Sequence, residues 1–387
     1  MGRLFLDGAA GSPVRPEVAA RMAELLREGV GNPNGGHAEA RRSRAILDAA
    51  RDSIAERLGT IAPQVVFTGT ASEALALALG SELAADGLLV TTAAEHRGAR
   101  ALAARHAAAG GVVRLVPLDR EGRWDLAAAD RSGTFANLSG ATALLALASG
   151  ELGTVQPLAD FVRAWRTAGG GAIVLDGVQE AIEGPLDLAA LGVEHLIVGS
   201  AKLAGPVGIS VVTSAPGRQL RPIVVGGGQE RGRRGGTEAV LLADALALAL
   251  RLAQEEAPRR CPAVRAIADR FDATLGDPLA LGLQPTGPRE ARDRLCGHRS
   301  FAAGWALGDD LVAALDHEGL AASTGSACLS GSREPSEALL ACGFDEASAR
   351  GGLRLSFDAH HVAADAERAA QALRRVGERL RGAVAAR

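Results

Sequence analysis

The chain has 387 residues, room for about two to three domains. Its 42 basic residues against 45 acidic ones leave a net charge of −3, which excludes an electrostatic grip on nucleic acid as the main activity. A composition of 47% hydrophobic and 22% charged residues is that of a folded globular chain, and no apolar run reaches the ~18–20 residues of a membrane span.

Residues 15–255 read as alternating helix and strand. The run His37–Leu58 places Ile46, Ala49, Ile54 and Leu58 on one buried helical face. Short apolar runs follow at Val65–Phe67, Leu88–Thr91, Val112–Val116, Ala143–Ala148, Ala172–Leu175, Leu196–Val198 and Ile209–Thr213. Such runs suit strands buried on both faces, so the expected fold is α/β, a mostly parallel central sheet between helices. Ala239–Glu256 reads as a long helix, with Pro258, Cys261 and Pro262 marking a boundary after it. The expected division is a large domain at 15–257 and a smaller α+β domain formed by 1–14 and 258–387. Within the latter, Asp277–Arg299 reads as a surface loop and Ala363–Val384 as a helix with a solvated, Arg-rich face.

Four cysteines, Cys261, Cys296, Cys328 and Cys342, are irregularly spaced with no CxxC. No disulfide framework and no metal site are expected, and the start of the chain lacks the apolar core of a secretory signal. A cytoplasmic location is the expectation.

One lysine, Lys202, stands among the 42 basic residues. Arginine serves wherever charge alone matters, but its guanidinium stays protonated and cannot act as an amine nucleophile. Lys202 follows the strand Leu196–Val198 and precedes a Gly-Pro turn, and a strand end in an open α/β sheet is where ligands sit. Asp176 ends another apolar strand. It suits a carboxylate beside a pyridinium nitrogen, although such an Asp alone also serves as a cap or turn former. Thr68-Gly69-Thr70-Ala71-Ser72 follows a strand and opens a helix, either as a plain N-cap or as a phosphate cradle. His96 could stack on a flat cofactor or be an ordinary surface or core histidine.

Together these pieces resemble a fold-type I pyridoxal-phosphate enzyme. Further motifs narrow the resemblance: Phe5-Leu6-Asp7-Gly8-Ala9-Ala10, Gly31-Asn32-Pro33-Asn34-Gly35-Gly36-His37, and the stretch Gly226–Thr237. Ser323-Thr324-Gly325-Ser326-Ala327-Cys328 and Leu353-Arg354-Leu355-Ser356 complete it. The chain is thereby similar to the cysteine desulfurases of the class-V aminotransferase family, in their long catalytic-loop group.

The resemblance implies that Lys202 carries pyridoxal 5'-phosphate covalently and acts as a catalytic base. It implies that Asp176 pairs with the pyridinium nitrogen, Gln179 bonds the ring's phenolic oxygen, and His96 stacks on the ring and handles protons. Ala71, Ser72 and Ser200 would bind the phosphate, and Thr237 would reach the phosphate of the other subunit of a homodimer. Arg354 and Asn32 would bind the substrate, L-cysteine. Cys328 would accept its sulfur and pass it to an acceptor protein, the other cysteines being dispensable. No nucleic-acid or membrane partner is implied. Rival readings are a C–S lyase or selenocysteine lyase on the same fold, or a non-catalytic partner protein that kept it. The chain departs from the family at Gly8, Gly150, Gly199 and Ala201, where polar residues are usual. Fewer partners for the phosphate are therefore expected.

Overall fold

The computed structural model describes residues 2–325 and 334–385. Twelve strands occur among them: β1 (Leu4–Phe5), β2 (Val65–Thr68), β3 (Leu88–Thr91), β4 (Val112–Leu115), β5 (Thr142–Ala146), β6 (Ile173–Asp176), β7 (His195–Gly199), β8 (Ser210–Ser214), β9 (Leu283–Thr286), β10 (His298–Ala303), β11 (Leu320–Ala321) and β12 (Gly352–Ser356). β2 to β8 form one sheet in the order β2-β8-β7-β6-β5-β3-β4. All its neighbours run parallel except at β8, which is antiparallel to both β2 and β7.

The apolar runs show no alternation because both faces of the sheet are covered. Phe67, Leu145, Leu175, Val198 and Val211 face one core, packed by the helices Ala38–Arg57 and Val240–Leu275. Val66, Leu144, Val174, Ile197 and Val212 face another, packed by the helices Ala71–Glu82 and Arg97–Ala108. Adjacent strand residues thus enter opposite cores, as the period of two requires.

A separate core gathers around the antiparallel sheet β12-β10-β9. Leu4 and Leu6 of the N-terminal segment join it, as do Ala366, Leu373 and Val376 of the C-terminal helix Ala363–Ala385. The helix Val240–Leu275 serves both cores, Val240–Ala257 packing on the large sheet and Val264–Leu275 on the small one.

Three local expectations fail. In the helix Ala38–Arg57 the buried face runs through Leu47, Ala50 and Ile54, and Ala49 is exposed. The helix expected to stop at Glu256 continues to Leu275 through Pro258 and Pro262. Each proline removes a backbone donor, but both lie on the exposed side, where water can satisfy the freed carbonyls. The expected surface loop Asp277–Arg299 contains β9 and the first residues of β10. Its Gly, Pro and Arg content misleads because Arg299 is buried as an ion pair. Its Nη2 donates to Asp269 at 2.7 Å and its Nε to Asp272 at 2.6 Å.

Candidate active site

The carboxyl ends of the parallel strands converge on a cavity of about 460 Å³. It lies over β3, β5, β6 and β7, and between β3 and β5 the connections reverse direction along the sheet. Ligands bind open α/β sheets at such a point.

Each strand delivers a group to the cavity. β6 ends at Asp176, buried, with its carboxylate accepting the Val178 N–H at 3.0 Å. Burial raises its pKa, opposed by that hydrogen bond and by the charges of His96 and Lys202. β7 leads into the short turn Ser200–Leu203, where Lys202 Nζ donates to the Ala10 carbonyl. Ala204 closes this turn at φ 55°, a left-handed backbone that costs a non-glycine residue about 1–2 kcal/mol. The N-terminal segment braces it, with Ser12 N–H on Ala201 O at 3.0 Å and Arg15 N–H on Ala204 O at 2.9 Å.

β3 leads to His96, which caps the helix Arg97–Ala108. Its Nδ1 accepts the Gly98 N–H at 3.1 Å, which leaves Nε2 as the exchangeable nitrogen. β2 leads to the helix Ala71–Glu82, whose cap Thr70 accepts the Glu73 N–H at 3.1 Å. Helix geometry gives the Ala71 and Ser72 N–H groups no partner within the helix, and they stand at the positive end of its dipole.

β12 supplies Arg354, 3% exposed. One terminal nitrogen donates to Asp7 at 2.7 Å and the other to the Gly150 carbonyl at 2.8 Å, while Nε has no hydrogen-bond partner among the described residues. A buried donor without a partner costs about 1–3 kcal/mol, so this edge is suited to an incoming carboxylate.

Lys202, Asp176, Gln179, His96, Ala71, Ser72 and Arg354 therefore line one cavity. Ser200, Asn32 and Thr237 do not line it. Ser200 is buried, and its Oγ, which lies close to Gly205, has no hydrogen-bond partner among the described residues. Asn32 is exposed and its side chain accepts the Asn34 N–H, and Thr237 is exposed. Cys328 lies outside the described residues, but Gly325 and Ala338, which flank it, line the cavity.

Some groups at the site carry no role in the sequence reading. Glu95 lines the cavity with its pKa pushed up to about 8 by burial. Its Oε1 accepts from Thr92 at 2.8 Å, and its Oε2 has no hydrogen-bond partner among the described residues. Glu151 is also raised by burial and accepts from Ser336. Both are chain neighbours of residues singled out by sequence, His96 and Gly150, yet nothing in either stretch signals their burial.

Gly150 has a steric reason in this chain. A Cβ there would meet Gln179 Nε2 at 2.7 Å, so the Gln179 amide, which donates to Ala9 O at 3.1 Å, fills the space a longer residue would need.

His298 supports the wall behind Glu151 by donating Nε2–H to the Glu151 carbonyl at 3.1 Å. Burial holds its pKa down, at about 3. The folded state then binds fewer protons than the unfolded chain between about pH 6.5 and 3. This contribution is whole above pH 6.5 and is lost as pH falls through that window, up to about 5 kcal/mol in the limit. We expect His298→Gln to flatten the acid limb of a stability curve from urea melts between pH 7 and 4. An unchanged limb would show that His298 is not the group responsible.

The aminotransferase class-V family model matches residues 4–368. The chain belongs to this family. It is 31% identical to the cysteine desulfurase of Cereibacter sphaeroides, over 98% of this chain and 97% of that one. It is 33% identical to the IscS-like cysteine desulfurase of Mycobacterium tuberculosis, over 95% of each. Among solved structures, a NifS-like protein superposes with a TM-score of 0.87 at 24% identity, covering 98% of this chain and 99% of that one, which bears on the fold alone. A structure described as SspA in complex with cysteine matches with a TM-score of 0.76 at 25% identity, covering 93% of this chain and all of that one. The family is the cysteine desulfurase branch that the motifs suggest, and its members depend on pyridoxal phosphate.

The donor set suits that cofactor. A lysine amine for the aldehyde, a buried carboxylate for the ring nitrogen, an imidazole, and open N–H groups at a helix start for the phosphate share one cavity. Among the described residues no helix is long and apolar enough to cross a membrane.

Proposed function

We propose that the protein is a cysteine desulfurase that converts L-cysteine to L-alanine and moves the sulfur to Cys328 as a persulfide. The observation that carries this is the meeting of Lys202, Asp176, His96 and Arg354 in one cavity of a class-V aminotransferase. Pyridoxal phosphate, when bound, supplies an electron sink that weakens bonds around the substrate's α-carbon. Lys202 holds it through its amine, Asp176 keeps the ring nitrogen protonated, and Gln179 bonds the phenolic oxygen. Ala71 and Ser72 would hold the phosphate, whereas Ser200, buried and outside the cavity lining, is not assigned to it.

Arg354 takes the substrate carboxylate, with Asp7 fixing the guanidinium plane. Lys202 Nζ removes the α-proton, and His96, whose Nδ1 accepts the Gly98 N–H, presents Nε2–H as a donor to the substrate sulfur. The Cys328 thiolate forms an S–S bond to the substrate sulfur as the C–S bond breaks, and protons return to the carbon skeleton as alanine leaves. A carrier protein then accepts the persulfide sulfur. A persulfide-forming thiol requires a reducing compartment, so we place the enzyme in the cytoplasm. The direct test incubates the purified chain with L-cysteine and measures alanine. Stoichiometric alanine with a sulfur-modified Cys328 is expected, and alanine absent in the presence of added cofactor would refute the proposal.

The phosphate has few side-chain partners here, since Ala201 offers none and Ser200 does not line the cavity. We expect Ala201→His to raise the affinity for pyridoxal phosphate about tenfold, the worth of one added hydrogen bond to a charged group. Titration of the apoprotein checks this. No gain would mean that Ser200, Thr237 or water already satisfies the phosphate.

We also propose a homodimer in which Thr237 completes the partner's phosphate site. Thr237 is exposed at the end of a glycine-rich loop, and Ile223, Val224 and Val225 just before that loop are 49%, 42% and 84% exposed. An apolar edge of this kind suits a two-fold interface. Sedimentation is expected to give a dimer, and an active monomer would remove the composite site.

A further inference from the structure

Away from this cavity, Cys261, Cys296 and Glu183 meet where the two cores join. Cys261 stands on the helix Val240–Leu275 as it passes from one core to the other. Cys296 lies just before β10. Glu183 ends the single turn Glu180–Ile182 that follows β6 and Gln179. One ligand atom from each, the two Sγ atoms and a Glu183 carboxylate oxygen, all lie within 4.8 Å of one another. The Cys261 thiol donates to the Glu183 carbonyl at 3.3 Å, and the Cys296 thiol to Glu183 Oε1 at 3.2 Å. The Cys296 N–H also contacts both Glu183 carboxylate oxygens, at 3.3 and 3.2 Å, and so holds the carboxylate toward the thiols.

The surroundings are poorly neutralised. Glu180 lies close to Glu183 and Cys261. Its Oε2 is buried with no hydrogen-bond partner among the described residues. The neighbouring cation, Arg260, has unpartnered Nε and Nη2 atoms and forms no ion pair among the described residues.

We propose that Cys261, Cys296 and Glu183 form a structural zinc site, with a water in the fourth position hydrogen-bonded to Glu180. Two thiolates and one carboxylate select a borderline-soft ion over magnesium or calcium. Tetrahedral zinc with Zn–S bonds of ~2.3 Å sets its thiolates ~3.8 Å apart, within the spacing found here. Binding releases the two thiol protons to solvent and transfers no electrons. The ion cross-links the segment that follows Asp176 and Gln179 to the long helix and to the small sheet. A cavity of about 70 Å³ lined by Glu183, Cys296 and Lys202 separates it from the candidate active site. Zinc there holds the cofactor-side loop against the small domain. This reading is independent of the proposed reaction.

The test uses the full-length protein with pyridoxal phosphate bound and needs no activity measurement. Zinc content is measured by elemental analysis, and a cobalt(II)-substituted sample is examined for the intense red-region bands of a tetrahedral site with thiolate ligands. About one zinc per chain is expected. Cys261→Ser and Cys296→Ser should each lower metal affinity at least about tenfold and weaken the thiolate features, while Cys328→Ser and Cys342→Ser keep them. Glu183→Gln, which leaves both thiols in place, should shift the cobalt bands. Stripping the metal should lower Tm, and zinc but not magnesium should restore it. Absence of bound zinc after incubation with the ion overturns the site. So does equal uptake by the Cys261→Ser and Cys296→Ser proteins, or isolation of these two cysteines as a disulfide.

Discussion

Lys202→Arg is expected to lower alanine formation by at least about 10³-fold while the protein stays folded. The arginine keeps the positive charge near Asp176 and can still reach the Ala10 carbonyl, so the loss isolates the amine. In the proposed reaction Lys202 has two tasks, holding the cofactor aldehyde and moving the proton at the substrate's α-carbon, and a guanidinium performs neither. The chain offers an unusually clean chemical check because it has one lysine. Borohydride reduction of the wild type should fix cofactor on the peptide containing Lys202, or else at the N-terminal amine. Circular dichroism and Tm close to wild type would show that Lys202→Arg folds. Wild-type alanine production by that variant, or reduced cofactor mapped only to the N-terminus, would sink the assignment.

Cys328→Ser is expected to keep the cofactor and to bind cysteine, yet to lose persulfide formation and most alanine release. Lys202, Asp176 and Arg354 are untouched by the change, but a hydroxyl is a far weaker nucleophile toward sulfur than a thiolate. Gly325 lines the cavity and Cys328 follows three residues later, within about 10 Å of chain reach. Cys342 and Cys296 make poor substitutes. Cys342 is buried, with its thiol pushed up to about 12, and the hydrogen bond with Cys261, with burial, raises Cys296 as well. Mass spectrometry of the cysteine-treated wild type should show one added sulfur on the peptide bearing Cys328. Alanine at the wild-type rate from the variant would remove the acceptor role. Pyruvate and sulfide from both proteins would instead establish a lyase.

Most of the central sheet was legible because its strands are short apolar runs bounded by Gly, Thr or Asp. β3 has the expected bounds, and β2 and β4 to β8 differ from the expected runs by one or two residues at an end. The antiparallel course of β8 was not legible. A strand covered on both faces has the same composition whichever way it runs, and only its partners distinguish the two. The continuous helix through Pro258 and Pro262 escaped notice for a related reason. Proline's penalty depends on whether the freed carbonyls reach water, which is set by the packing of that helix.

The chemistry of the site was legible where residue type alone restricts the role. One lysine in an arginine-rich chain, an acid at a strand end and small residues opening a helix point to a phosphate-bearing aldehyde cofactor before any folding is considered. The roles of Glu95, Glu151 and His298 depend on burial that neighbouring sequence does not encode. Desolvation by residues from several distant segments pushes the Glu95 pKa to about 8 and that of His298 to about 3. The Asp7–Arg354 pair joins residues 347 positions apart, and Cys261 meets Cys296 and Glu183 only where the long helix crosses between cores. Reactive type and strand-end placement are local properties of the chain. Charge state, pairing and the shape of the cavity follow from the low dielectric and fixed distances that folding creates.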